Sequence, residues 1–168
     1  MRSRAWAVGV QELSPGFRQA IETHLVESAD PQIRVDAAVA LGYAEESEAS
    51  RHALSLILDP NVKTEAVYIL LYSQFRNPVT RPAAWTWFNE RQSAVAARLP
   101  AFNQRFLAEL GEGFCSAGER DAFQVALAPR LATVGEIPLR RTLERIDVCT
   151  AVRTAHKAEL ATMERAPQ

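Results

Sequence analysis

Apolar residues recur along this chain at helical rather than strand spacing. From Ser14 onward they fall three and four positions apart, and no segment sustains the in-out alternation of a half-buried strand. Ser14-Pro15 sets a capping hydroxyl before a proline at the first helical position, and Phe17, Ile21 and Leu25 follow on one face. Asp30-Pro31 restarts the chain with the same chemistry; Ile33, Ala37, Ala38 and Leu41 form its apolar stripe, and Gly42 is placed to end it in a left-handed conformation. Ala49, Ala53, Leu54, Ile57 and Leu58 make a third helix. Asp59-Pro60 stops it, because the residue before a proline is pushed out of the helical region, and starts a fourth.

The second and fourth helix starts match, DPQIRVDAAVAL from Asp30 and DPNVKTEAVYIL from Asp59. Each shared position has a physical role: Asp caps free amides and complements the helix dipole, Pro presets the first turn, and the small Ala lets a neighbouring helix approach. The pattern resembles the second helix of HEAT-type repeats. The offset of 29 residues between Asp30 and Asp59 is shorter than the ~40–47 of standard HEAT and armadillo units, so stacked helix pairs are the firmer part of that reading. Two similarly capped helices in an irregular bundle would give the same strings.

Beyond Phe75 the repeat is lost. The loop from Arg76 to Pro82 leads into a long helix bearing Trp85, Trp87, Phe88, Val95 and Leu99, which Pro100 breaks. Phe102, Phe106 and Leu110 form the next stripe, closed by Gly111 and Gly113. Ser116 with Glu119 spells a capping box ahead of Phe123 and Leu127, Pro129 bends or stops that helix, and a last one starts near Pro138 with Leu139, Leu143 and Ile146. The expected fold is all-α, about eight helices in stacked antiparallel pairs, a HEAT/armadillo-like array over residues 14–162. Residues 1–13 read as a leader or interdomain linker and 163–168 as a frayed tail.

Composition changes this picture little. The chain has 168 residues, 48% of them hydrophobic and 23% charged, which suits one folded domain. A net charge of −1 gives no attraction for phosphate backbones, so nucleic acid is not an expected partner. No apolar run approaches the ~20 residues of a membrane span. Cys115 and Cys149 form neither a disulfide framework nor a zinc spacing, which points to a reducing, cytoplasmic setting.

Recognisable catalytic chemistry is hard to find. A zinc peptidase helix needs two histidines one turn apart with a glutamate beside the first, whereas His24, His52 and His156 stand on different helices. His24 with Glu27 and His156 with Glu159 read as surface pairs, Cys115 as a small packed side chain, and Glu112 between Gly111 and Gly113 as part of a helix stop. Arg140, Arg141 and Arg145, with Glu144 as a local partner, read as a solvated helix face. Trp85 and Phe88 are expected in the core, and Trp87 against a packed helix or a partner. Catalytic, metal and cofactor residues are therefore expected to be none in this chain.

The run NPVTRPAAW from Asn77 to Trp85, with Trp87 and Phe88 after it, resembles a segment of the helical C-terminal domain of zinc aminopeptidases of the aminopeptidase N/puromycin-sensitive family. Further landmarks agree in order: Asp30, Ala40-Leu41-Gly42, Asp59, Phe114-Cys115-Ser116 ahead of Glu119, and Leu143 to Ile146. The similarity covers roughly Asp30 to Leu160. It departs where the family often carries a Trp after the Leu-Glu-x-Ile helix, here near Ala151, and in the aromatic pair reduced to Phe123. The resemblance implies a non-catalytic domain that covers the active-site chamber of a parent exopeptidase and contributes to peptide access and length selection. Zinc would belong to an upstream catalytic domain, and this chain alone would not hydrolyse peptides. Its partners would be that domain and peptide substrates, with Arg76 and Arg81 as candidate contacts for a peptide carboxylate. An apolar surface on the N-terminal side would let the isolated domain self-associate. A free-standing HEAT-like adaptor for a protein or peptide is the competing reading.

Overall fold

The computed structural model describes residues 2–163, with side chains through residue 157. The described residues form nine α-helices and two 3₁₀ segments and contain no strand, as the apolar spacing requires. The helices are α1 (Arg2–Glu12), α2 (Pro15–Glu27), α3 (Pro31–Gly42), α4 (Ser47–Leu56), α5 (Thr64–Arg76), α6 (Arg81–Arg98), α7 (Ala117–Leu127), α8 (Leu131–Val134) and α9 (Glu136–Met163). The 3₁₀ segments are Ala101–Gly113 and Ala128–Arg130. The chain divides into two compact units, residues 1–104 and 105–168.

In the first unit α3 is central, packed against α1, α2, α4 and α5, while α5 also meets α4 and α6. Small residues make this crowding feasible: Ala37, Ala38 and Ala40 are fully buried, and so are Ala66, Val67, Leu70 and Leu71 on α5. Asp30 caps α3 as expected, its carboxylate accepting from the Gln32 amide at 2.8 Å. Ser14 precedes Pro15 at the start of α2, but its hydroxyl makes no capping bond. The segment 1–13, expected as a leader or interdomain linker, contains α1, whose Ala7 and Val10 are buried. The tail expected over 163–168 lies, beyond Met163, outside the described residues.

Two sequence expectations are corrected here. Gly42 is not a left-handed cap: among the described residues only Gly135 has positive φ, and α3 ends with the Tyr43 amide donating to the Ala40 carbonyl at 3.1 Å. The glycine serves close approach, because a Cβ there would overlap Cβ of Ser73 on α5 and lie 3.1 Å from the Leu70 carbonyl oxygen. Asp59 does not start a helix either. Its carboxylate accepts from the Asn61 amide at 2.8 Å, closing an Asx turn, and α5 begins five residues later at Thr64. The repeat survives in the packing: Ala37 and Ala66, then Leu41 and Leu70, occupy matching buried positions.

In the second unit α7 packs on α9, with Phe123, Leu127 and Ile146 fully or nearly fully buried and Leu139 and Leu143 beside them. The capping box forms: the Glu119 amide donates to Ser116 Oγ at 3.3 Å, while the Glu119 carboxylate accepts from the Cys115 amide at 2.9 Å and the Ser116 hydroxyl at 2.7 Å. Gly135, at φ 87°, lets α8 turn directly into α9. That helix starts at Glu136, with Pro138 in the first turn where a missing N–H costs nothing. The stretch read from its Phe102, Phe106 and Leu110 spacing is 3₁₀ rather than α. At three residues per turn the inward positions become Leu107 and Leu110, so Phe102 is left exposed and Phe106 half-buried. Cys115 and Cys149 are disulfide-bonded, with Cα atoms 5.1 Å apart. The expectation that these two cysteines form no disulfide is therefore corrected.

Candidate functional site

The sequence landmark Asn77–Trp85 folds as the junction between α5 and α6. Asn77, 2% exposed, stops α5 and closes the turn: its Oδ1 accepts from the Val79 amide at 3.0 Å, and its Nδ2 donates to Glu45 Oε1 at 3.0 Å. The buried Thr80 hydroxyl donates to the Gln74 carbonyl at 2.7 Å. Arg81 folds back on the end of α5, with Nε donating to the Phe75 carbonyl at 2.7 Å and Nη2 to the Arg76 carbonyl at 3.3 Å. A guanidinium at a helix C-terminus satisfies carbonyls without intrahelical partners and complements the negative end of the helix dipole.

Phe75, Trp85 and Phe88 lie beneath this loop. Phe75 meets Phe88 edge-on at 5.9 Å and Trp85 edge-on at 6.4 Å, and Trp85 stacks on Phe88 at 6.4 Å. Phe88 is fully buried, whereas Trp85 is half-buried. Trp87 points elsewhere, with the Arg91 guanidinium 5.5 Å from its ring centre.

Arg76 is exposed, and its guanidinium lies 5.9 Å from the Tyr72 ring centre. Tyr72 in turn meets Tyr68 at 5.6 Å. Tyr68, Tyr72 and Arg76, at successive four-residue steps, thus form an aromatic and cationic ladder along α5. Both tyrosines are half-buried. Sequence reasoning missed them, although their spacing from Arg76 was a readable signal. It also missed Arg98, which donates to the carbonyls of Asp59 at 2.8 Å and Val62 at 2.5 Å and so holds the Asx turn before α5.

The remaining candidates are not brought together. His24 stacks on Trp6 at 5.3 Å, with Arg2 5.6 Å from the Trp6 ring centre. His52 Nε2 lies 2.7 Å from Glu22 Oε2, beside a groove of about 510 Å³ that Arg18 and Glu46 also line. The Glu159 side chain, proposed partner of His156, is outside the described residues. Arg140 approaches Glu144 at 3.8 Å, and Arg145 pairs with Glu112. Ile146, the last sequence landmark, is core. Among the described residues no three His, Cys, Asp or Glu side chains are placed to hold a metal ion, and no helix is long and apolar enough to cross a membrane.

Two carboxylates are tuned by their surroundings. Amide hydrogen bonds from Glu48 and Ala49 hold the Glu46 carboxyl below its ordinary pKa, with Arg18 and Arg51 acting in the same direction against slight desolvation. At Glu65, partial burial acts to raise the pKa, but hydrogen bonds from Arg34 and from its own amide, with the Arg34 and Lys63 charges, hold it low. Arg34 links α3 to α5 through this carboxylate, its Nε donating at 2.8 Å.

Residues 1–148 match the sequence profile of the ERAP1-like C-terminal domain. Compared with curated proteins, the chain shows no match. The matched span takes in α1, the Asn-Pro junction, the capping box and the packed part of α9. The chain belongs to the ERAP1-like C-terminal domain family, the helical C-terminal domain of enzymes of the aminopeptidase N family.

Proposed function

We propose that this domain forms part of the wall of an aminopeptidase chamber, without catalytic groups of its own, and contributes to peptide access and length selection. Zinc and the residues that cleave the peptide would lie in an upstream catalytic domain, the domain's partner along with the peptide substrate. Family membership carries this reading. The ladder of Tyr68, Tyr72 and Arg76 supplies the chemistry a peptide's far end would need, two rings for apolar side chains and a guanidinium for a carboxylate. Of the two arginines considered from the sequence, the exposure of Arg76 beside Tyr72 favours it for that contact. Arg81 acts through the loop, because its guanidinium holds the end of α5.

The bonded Cys115–Cys149 pair bears on location. Cysteines kept as thiols would favour the cytoplasm, whereas a structural disulfide favours maturation in an oxidising compartment. We place the domain in the latter.

The test is to combine this domain with its catalytic portion and measure cleavage of peptides of increasing length. Wild-type domain should shift the length preference, and Arg76→Ala should reduce the shift for peptides with a free carboxylate more than for C-terminal amides. Identical rates with and without the domain would overturn the chamber reading in favour of a free-standing adaptor.

A further inference from the structure

The outer face of α9 has a symmetry in its sequence that the core does not require. Leu139, Thr142, Leu143 and Ile146 turn inward and are buried. On the opposite side Ile137, Arg141, Glu144, Arg145, Val148 and Val152 fall within about 100° of helix circumference at 100° per residue. Ile137, Val148 and Val152 are 54, 64 and 51% exposed. Three branched apolar residues on one exposed helix face are not needed for solubility or for packing within the domain.

A two-fold axis passing between Glu144 and Arg145 sets this stripe against itself in antiparallel register. Ile137 then faces Val152 of a second copy, Arg141 faces Val148, and Glu144 faces Arg145. The contact is apolar at both ends and charge-complementary at its centre, the self-complementarity an isologous interface demands. Arg141, Glu144, Arg145 and Val148 also line a shallow depression of about 380 Å³ at the same place, which gives a second copy's central side chains room to settle. Helix dipoles are opposed in an antiparallel pair, which adds to the fit. The internal partners of the central charges leave this geometry open: the Arg140–Glu144 contact is 3.8 Å long, and Arg145 remains 65% exposed while paired with Glu112.

We infer that this face of α9 is a homotypic docking surface, on which a second copy of the chain binds through its own α9, antiparallel, with Glu144 of each copy against Arg145 of the other. The stripe runs about 22 Å at 1.5 Å per residue, so the contact area is well below the ~800 Å² per partner of a stable dimer. Association is therefore weak, reversible and concentration-dependent.

Sedimentation equilibrium of the full chain from ~10 µM to ~1 mM should show mass rising toward the dimer, and Val148→Asp should abolish the rise while circular dichroism stays unchanged. Charge exchange gives the decisive arm. Glu144→Arg alone sets like charges across the axis, as does Arg145→Glu alone, so each should lose self-association at least fivefold. An equimolar mixture of the two variants restores both central pairs and should recover it. Monomer at every concentration would overturn the inference. So would single variants that associate like wild type, or a mixture that remains monomeric.

Discussion

Gly42 on α3 and Ser73 on α5 meet so closely that a side chain on the first would occupy the Cβ position of the second. This contact sets how near the two central helices of the first unit approach. Gly42→Ala should cost about 1–3 kcal/mol, as expected for overpacking against a neighbouring helix, despite the better helix propensity of alanine. Ser73→Gly in the same chain should return part of the loss by vacating the overlapped position. Urea unfolding of the single and double variants measures this coupling, and purely additive losses would contradict it.

Arg81 and Arg76 should separate cleanly by stability. Removing the Arg81 guanidinium with Arg81→Met leaves the Phe75 and Arg76 carbonyls at the end of α5 without their donor, a loss of about 1–3 kcal/mol. Arg76→Ala, at an exposed position, should stay within about 0.5 kcal/mol of wild type. Thermal melts of both variants decide the matter, and equal destabilisation would contradict the assigned roles.

The Cys115–Cys149 bond closes a loop across 34 positions. A chain-entropy estimate for that separation gives about 3–4 kcal/mol of stabilisation. Reduction with a phosphine, or Cys115→Ser with Cys149→Ser, should lower the melting temperature of the second unit. Hydrogen exchange should show lost protection in α7 and the first half of α9 while α3 and α5 are unaffected.

Acid should loosen the first unit through Glu46 and Glu65. Both have folded-state pKa values below the ordinary carboxyl value. Their contribution is complete above the unfolded pKa and is lost as pH falls through the depressed folded value. Stability should therefore drop on going from neutral pH to about pH 3. In the double variant Glu46→Gln with Glu65→Gln this acid limb should be shallower. An identical limb in both proteins would show that other groups control it.

What the sequence revealed followed from local chemistry. Asp30 before proline, Ser116 three residues ahead of Glu119, and the apolar steps of α7 each determine structure within one or two turns, and each appears as expected. Gly42 and Asp59 were misread because their roles depend on distant or competing partners: Ser73 lies on another helix, and the turn after Asp59 is held by Arg98. The stretch from Ala101 to Gly113 has apolar residues compatible with either helical period, so spacing alone did not distinguish α from 3₁₀. At the candidate site, Arg76 and Arg81 carry the same side chain five residues apart, and only the fold of the loop assigns one to solvent and the other to a helix end.

The staple at Cys115 and Cys149 also governs how damage to this protein would appear. Pro129, Leu131 and Ala132, in the short helical turns between the bonded cysteines, are solvent-exposed, and Arg130 beside them offers trypsin a cleavage site. A single cut there leaves the two fragments covalently joined. On a non-reducing gel the cleaved protein would run as one band, and only reduction would release the pieces.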